Sequence, residues 1–523
     1  RYQIAQRMLV QRTQFHAQGI GGNDTITAGA GNDWIIGGNG DDTINAGDGA
    51  NLVFGDEAQV LTMFFQLYRV TSSTANAGND TITSGSGTNY IIGGAGSDTI
   101  TVAGGTSVIL GDQGQIDWSG GVLIDATTFG ANSGARDVIT AGNGTSWIFG
   151  GDGDDDITAG NGFVVAFGDH GSIDLTGAGV LTVRSADFTS GGNDTIATGS
   201  GDDIILGGFG ADTINGGEGN NVVFGDHGEV IKTAAGLDWV ATLAPTQGAG
   251  DTITTGAGND VILGGAGNDV IHAGAGRNLI LGDHGSLDFT ANDLRTATSS
   301  DYTLGGDDTI DSGLGDDLIL GGFGADQIDA GDGANVILGD QGTVEINSGV
   351  LIDVFTEQPA IGAADIIVSG LGDDVILGGA AADQIDAGNG DNVIIGDHAE
   401  LHWIVGILAR ALSTNFSAGA ADDITSGNGD DVIIAGPDDD TIDAGDGDNI
   451  VFGDNGFVYW TSGVITQATT EDAVDVGAND TIVTGSGSDL VFGGAGTDTI
   501  RAGAGAHFIF GDNGDWTISG VGV

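Results

Sequence analysis

A nine-residue period runs through most of this chain and restricts it to very few folds. In the segment GGNDTITAGAGNDWIIGGNGDDTINAGDGANLVFGD, from Gly21 to Asp56, the residues Asp24, Asp33, Asp42 and Asn51 stand nine apart. Each is preceded by Gly-x-Gly-x or a close variant and followed by x-hydrophobic-x. Nine such residues make one turn and one short strand with a single inward apolar side chain. That piece cannot bury its side chain alone, so copies must stack as a solenoid. The four rows are designated a, b, c and d, and two rows make one coil. The block recurs with its first aspartate at Asp24, Asp80, Asp137, Asp194, Asp251, Asp308, Asp365, Asp422 and Asp480, in steps of 56 to 58 residues.

The spacing predicts one continuous solenoid over residues 1–523. It is built of nine tandem repeats, beginning near 19, 75, 132, 189, 246, 303, 360, 417 and 475 and ending at 516. Residues 1–18 read as the tail of a preceding repeat and 517–523 as the start of the last irregular stretch, so the chain is expected to be cut from a longer array. Between row d and the next row a, each repeat carries about 20 less regular residues, as in GDHGSIDLTGAGVLTVRSADFTS from Gly168 to Ser190. Apolar residues alternate there on either side of a glycine break, which means strand. The 57-residue step predicts roughly three coils per repeat, two of nonapeptide type and one with longer strands. A hairpin projecting from two coils is the alternative.

The chain carries 74 acidic against 11 basic residues, a formal charge of −63, which excludes nucleic acid or an anionic membrane as its main partner. All but seven of the acids are aspartate, whereas a generic acidic coat would use glutamate freely. The 102 glycines are too few for a collagen period, and a hydrophobic fraction of 39% argues for a folded chain. With no cysteine there is no disulfide framework, and no apolar run reaches the roughly 18–20 residues of a membrane-spanning helix.

The rows GGNGDDTIN (Gly37 to Asn45), GGFGADTIN (Gly207 to Asn215) and GGAGNDVIH (Gly264 to His272) resemble the GGxGxDxUx motif of RTX (repeats-in-toxin) calcium-binding proteins, where U is a large aliphatic residue. The resemblance covers about two thirds of the chain. It implies an all-β fold, a parallel β-roll (β-solenoid) with Ca2+ in its glycine-rich turns. It also implies export, with type I secretion through a signal outside this chain as the expected route.

The residue chemistry agrees, because calcium takes short carboxylates and backbone carbonyls as ligands and glycine lets a turn aim its carbonyls inward. Row a carries Asp in all nine repeats, as given above, and so does row c: Asp42, Asp98, Asp155, Asp212, Asp269, Asp326, Asp383, Asp440 and Asp498. Rows a and c lie on one edge and can share ions. Row b carries Asp33, Asp203, Asp260, Asp317, Asp374, Asp431 and Asp489, with Asn89 and Ser146 as exceptions. Row d is mostly amide: Asn51, Asn221, Asn278, Asn335, Asn392 and Asn449, then Ser107, Val164 and His507. The b/d edge is therefore expected to bind fewer or weaker ions. A Gly-Asp pair follows row d in every repeat, at Asp56, Asp112, Asp169, Asp226, Asp283, Asp340, Asp397, Asp454 and Asp512, as a ligand or as the closure of a tight turn. These aspartates form the candidate metal set, with on the order of three Ca2+ per repeat. The next residue is His170, His227, His284 or His398 in four repeats and Gln, Asn or Glu elsewhere, which points to a structural hydrogen bond.

Flanking the inward residue, rows a and c show polar neighbours such as Thr25 and Thr27, whereas rows b and d show apolar ones such as Ile204 and Leu206 or Val222 and Phe224. A sheet apolar on both faces must be covered, by the chain's own irregular stretches or by other copies of the chain. End-to-end association is a second possible self-contact. The favoured function is a calcium-dependent structural region of an extracellular surface protein: an adhesin extender, S-layer, matrix or filament. A binding module using the variable stretches, with Trp118, Trp403 and Trp460 as glycan contacts, is the alternative. A third reading is the repeat part of an exported toxin or enzyme whose catalytic domain lies elsewhere. No HExxH, GxSxG or separate Ser, His and Asp set is present, so the chain itself is read as non-enzymatic.

Overall fold

The computed structural model describes residues 10–14, 21–63, 66–72, 78–130, 134–177, 179–415, 419–470 and 478–518; the rest of the expected 1–18 tail, and residues 519–523 of the last stretch, lie outside the described residues. Every element described is a β-strand. The chain divides into two compact units, Arg1–Gly236 and Leu237–Val523.

Both units follow one plan, clearest in the C-terminal one. Row a of the sixth repeat (Thr309–Asp311) pairs in parallel with its row c (Gln327–Asp329), which pairs in parallel with row a of the seventh repeat (Ile366–Val368). Rows b and d do the same through Leu318–Leu320, Val336–Leu338 and Val375–Leu377. Like residues stack on like residues in register: Ile310, Ile328 and Ile367 on one sheet face Ile319, Ile337 and Ile376 on the other, all fully buried between the two sheets. This is the parallel β-roll that the resemblance implies, its copies stacked as the period requires. In the N-terminal unit the same pairing links Thr25, Thr43 and Thr81. There, where rows b and d lack aspartate in the second and third repeats, the strands run unbroken through the turn, as Thr81–Ile92, Thr99–Leu110 and Val138–Phe149.

The expectation of three coils per repeat is corrected. Row c pairs directly with the next row a, so each repeat contributes two coils and leaves no gap for a third. The irregular stretch is an antiparallel hairpin, as in Gly342–Asn347 with Val350–Thr356 or Ala399–Ile404 with Ile407–Ser413. Its glycine break is a two-residue turn with both residues left-handed, such as Ser348 (φ 52) and Gly349 (φ 74), the geometry that matches strand twist in tight hairpins. Successive hairpins pair with one another, Thr296 with Glu345 and Asp353 with His402, making a separate antiparallel sheet. A strand bent back by such a turn finds its hydrogen bonds in the next hairpin and cannot enter the parallel coil. Residues Val10–Gln14 form a strand antiparallel to Ala58–Met63 in that layer.

This third layer lies on the outer face of the b/d sheet. Where a glycine opens the hairpin it is pressed against the last side chain of row d: a Cβ on Gly342 would stand 2.2 Å from Leu338, and one on Gly171 2.3 Å from the Phe167 ring. Trp118, on a hairpin, packs edge-on against Tyr90 of row b at 4.9 Å. Ile204, Leu206, Val222, Phe224, Leu318 and Leu338 are consequently buried, as are the hairpin residues Val183, Leu287, Val344 and Val354. The chain covers its own b/d face, so along these rows that face is not free for a second copy. Trp34 and Phe508 are the exposed exceptions.

Candidate metal centre

Because the rows are in register, the first residue of each strand stands directly over its counterpart one coil away. On the a/c edge this builds a column made of aspartate alone. In the N-terminal unit the backbone N–H of Asp24, Asp42, Asp80, Asp98, Asp137, Asp155 and Asp194 donates in turn to Oδ1 of the next aspartate, at 2.6–2.7 Å. From Asp251 through Asp269, Asp308, Asp326, Asp365, Asp383, Asp422 and Asp440 to Asp480 and Asp498 the bonds are 2.7–3.1 Å.

The second oxygen is treated differently. Oδ2 is buried and accepts no hydrogen bond at Asp42, Asp80, Asp98, Asp137, Asp155 and Asp194, nor at Asp308, Asp326, Asp365, Asp383, Asp422, Asp440, Asp480 and Asp498. It points at the glycine that opens the same turn and at a carbonyl of the next coil. A Cβ on Gly37 would stand 2.4 Å from both Asp42 Oδ2 and Gly55 O, and one on Gly378 2.4 Å from Asp383 Oδ2 and 2.2 Å from Gly396 O. A side chain at Gly37 or Gly378 would collide with these oxygens, whereas the eighth repeat carries Ala435 at this position beside Asp440, whose Oδ2 likewise accepts no hydrogen bond. Burial, and after it the neighbouring carboxylates, raises Asp155 and Asp365 to about 10 and Asp383 to about 11. A hard cation with oxygen ligands satisfies such a set, and no hydrogen-bond donor reaches the Oδ2 atoms named above.

A family model for the RTX calcium-binding nonapeptide repeat (4 copies) matches residues 18–53, 74–109, 133–163, 188–223, 247–280, 302–337, 361–394, 425–457 and 476–506, more than half of the chain. The chain belongs to the RTX calcium-binding repeat family. No curated protein matches it. Each match ends near row d, so the hairpins of this RTX chain lie outside the family pattern. Repeats of this class typify exported bacterial proteins, and the repeat itself is a structural calcium-binding element. Among the described residues no helix is long and apolar enough to cross a membrane.

Among the described residues no three Asp, Glu or His side chains converge as a metal cluster, so a cation in these RTX turns would draw most of its roughly six to eight oxygens from backbone carbonyls. The residues that fit this are the a/c aspartates with the glycine carbonyls beside them.

The b/d edge of the RTX roll is chemically distinct. Its column alternates Asp and Asn: Asn335 N–H donates to Asp374 Oδ1 (2.8 Å), Asp374 N–H to Asn392 Oδ1 (3.0 Å), and Asn392 N–H to Asp431 Oδ1 (2.9 Å). In the sixth to ninth repeats Oδ2 has a partner, a hydroxyl five residues earlier, whereas in the fourth and fifth the hydroxyls at that spacing, Thr198 and Thr255, donate to the Gly216 and Ala273 carbonyls (2.9 and 2.8 Å). Ser312, Ser369, Ser426 and Thr484 donate to Asp317, Asp374, Asp431 and Asp489 at 2.7, 2.6, 2.8 and 2.5 Å. Those hydroxyls occupy the motif position that is glycine in row c, at Gly321, Gly378 and Gly493 for example. Sequence reasoning missed them, although the contrast between Ser/Thr-Gly in row b and Gly-Gly in row c was available as a signal. In the first repeat Ala28 stands in that position, and Asp33 Oδ2 has no partner.

The Gly-Asp aspartates lie on the a/c edge and tie one repeat to the next instead of closing their own turn. Asp112 Oδ2 accepts the N–H of Asp152 (2.7 Å), and Asp56 Oδ2 that of Ala95 (2.8 Å). Asp169 accepts from Gly192 (3.0 Å) and Phe209, and Asp283 from Gly306 (3.0 Å) and Phe323. The following histidines are buried and structural: His398 bonds Thr356 Oγ1 and the Pro359 carbonyl, both at 3.1 Å, and His284 the Pro245 carbonyl at 3.1 Å. Burial lowers His227 to about 4 and keeps it neutral against the edge of Phe188. Of the three tryptophans considered for glycan contact, Trp118 and Trp403 are buried beneath the hairpin layer and Trp460 is half-buried.

Proposed function

We propose that this chain is a calcium-dependent structural region of an extracellular surface protein, of the extender, S-layer, matrix or filament kind, that folds on Ca2+ after export. It carries no catalysis of its own in this reading. The supporting observation is the a/c column, where aspartates stack in a buried line and the Oδ2 atoms named above accept no hydrogen bond. Calcium would neutralise and cross-link these oxygens. The chain's own residues supply the rest: glycines bring the carbonyls close, the inward isoleucines hold the register, and the Gly-Asp carboxylates act as tethers between repeats. Without the cation, stacked carboxylates at coil spacing repel one another and oppose folding, which keeps the chain open for export. Far-UV circular dichroism during calcium withdrawal with EGTA tests this. Strand signal should be lost and should return when calcium is restored; a strand signal indifferent to calcium refutes the proposal.

A further inference from the structure

The two edges of the roll solve the same problem with different chemistry. Each turn delivers a buried carboxylate whose Oδ1 is taken by the backbone of the neighbouring coil. On the a/c edge Oδ2 of Asp308, Asp326, Asp365, Asp383, Asp422 and Asp440 accepts no hydrogen bond. On the b/d edge a hydroxyl reaches Oδ2 of Asp317, Asp374, Asp431 and Asp489, and at two of these the circuit continues: Asn335 Nδ2 donates to Ser369 Oγ (3.4 Å), which donates to Asp374 Oδ2 (2.6 Å); Asn392 Nδ2 donates to Ser426 Oγ (3.4 Å), which donates to Asp431 Oδ2 (2.8 Å). Alternation with a neutral amide also halves the charge of this column. A cation entering it would have to displace hydroxyl donors already in place and would find one carboxylate per two coils.

We propose that calcium binds along the a/c column only, and that the b/d column from Asp317 to Asp489 is a metal-free ladder in which Asn amides and Ser or Thr hydroxyls do what calcium does on the opposite edge. This rests on the calcium reading above and narrows it. With two a/c aspartates per repeat, it sets about two ions per repeat in place of three. It also gives the roll one edge whose hydrogen bonding does not depend on calcium supply.

The test is the number of ions bound by the full chain at saturating calcium, measured by equilibrium dialysis with radioactive calcium. Three variants are compared within one repeat. Asp365→Asn, on the a/c column, should lower the count by at least one ion per chain. Asp374→Asn, nine residues away on the b/d column, should leave it unchanged. Ser369→Ala should also leave it unchanged while lowering the thermal midpoint, because Asp374 Oδ2 loses its donor. If Asp374→Asn or Ser369→Ala changes the ion count, the one-edge assignment is overturned and the calcium reading stands. If the unmodified chain binds no calcium, the calcium reading fails instead. Should Asp374→Asn not fold, Ser369→Ala alone decides the matter.

Discussion

Asp397 illustrates how finely the tethers depend on single residues. Elsewhere the third residue of the row c turn gives its N–H to the Gly-Asp carboxylate of the preceding repeat, as Ala95 gives to Asp56 and Asp152 to Asp112. In the eighth repeat that residue is Pro437, which has no N–H, and Asp397 Oδ2 is left buried without a partner. Its other oxygen accepts from Ala420 at 3.3 Å. Replacing Pro437 with Ala restores the donor. A hydrogen bond to a charged group contributes about 1.5–3 kcal/mol, and loss of proline's restriction of the unfolded chain costs about 0.4–1 kcal/mol. Pro437→Ala should therefore stabilise the protein by about 1 kcal/mol. Denaturant unfolding in saturating calcium checks the sign, and a destabilised variant would show that the tether at Asp397 does not matter.

At the scale of elements, the hairpin is the part of the repeat that was least legible. Its strand character was plain from alternating residues, and its projection was the less favoured of two readings. What decided it was pairing: each hairpin strand finds a neighbour in the next repeat, and its inner side chains fill the groove over rows b and d. Leu287 is fully buried in that layer, whereas Val350, at a hairpin tip, is 37% exposed. Leu287→Ala should cost about 2–5 kcal/mol, as core truncations do, and Val350→Ser should stay within about 0.5 kcal/mol. Equal effects from the two variants in equilibrium unfolding would mean that the hairpins are ornaments on the roll and do not stabilise it. The buried face they cover was visible in the sequence as an apolar excess; which segment covers it was not.

Over the whole molecule the charge of −63 becomes a property of the column more than of the surface. In the calcium-free fold, burial and then neighbouring carboxylates raise Asp155 to about 10; burial, opposed in part by backbone hydrogen bonds, raises Asp80 to about 6 and Asp326 and Asp422 to about 7. A folded-state value above the ordinary 3.8 means that the fold binds more protons than the unfolded chain, so stability falls as pH rises. The loss begins near pH 4, where the unfolded chain ionises, and runs to about pH 10, where the last of these groups ionises in the fold. Calcium-free protein, prepared over a chelating resin, should therefore keep more strand signal at pH 5 than at pH 8 in circular dichroism. The opposite order would show that the column's carboxylates are not the groups that oppose folding.

The nine-residue period determined that the rows stack as a solenoid with its aspartates in line, because register in a solenoid follows from repeat length and one inward side chain per row. The short carboxylates and glycines of those rows pointed to a hard cation, and the resemblance implied the parallel roll and calcium. The rows also marked the b/d edge as poorer in carboxylate. Only the tertiary structure decided that a repeat holds two coils, that the hairpins cover the b/d face, and that Ser312, Ser369, Ser426 and Thr484 reach Oδ2 of the b/d aspartates beside them while Oδ2 of Asp365 and Asp383 on the other edge accepts no hydrogen bond. The pairings of Thr43 with Thr81, Thr296 with Glu345 and Asp353 with His402 join residues 38 to 49 positions apart, and the Ser369–Asp374 bond spans a turn. They depend on which partner a strand or a hydroxyl reaches in space, which a local pattern does not specify.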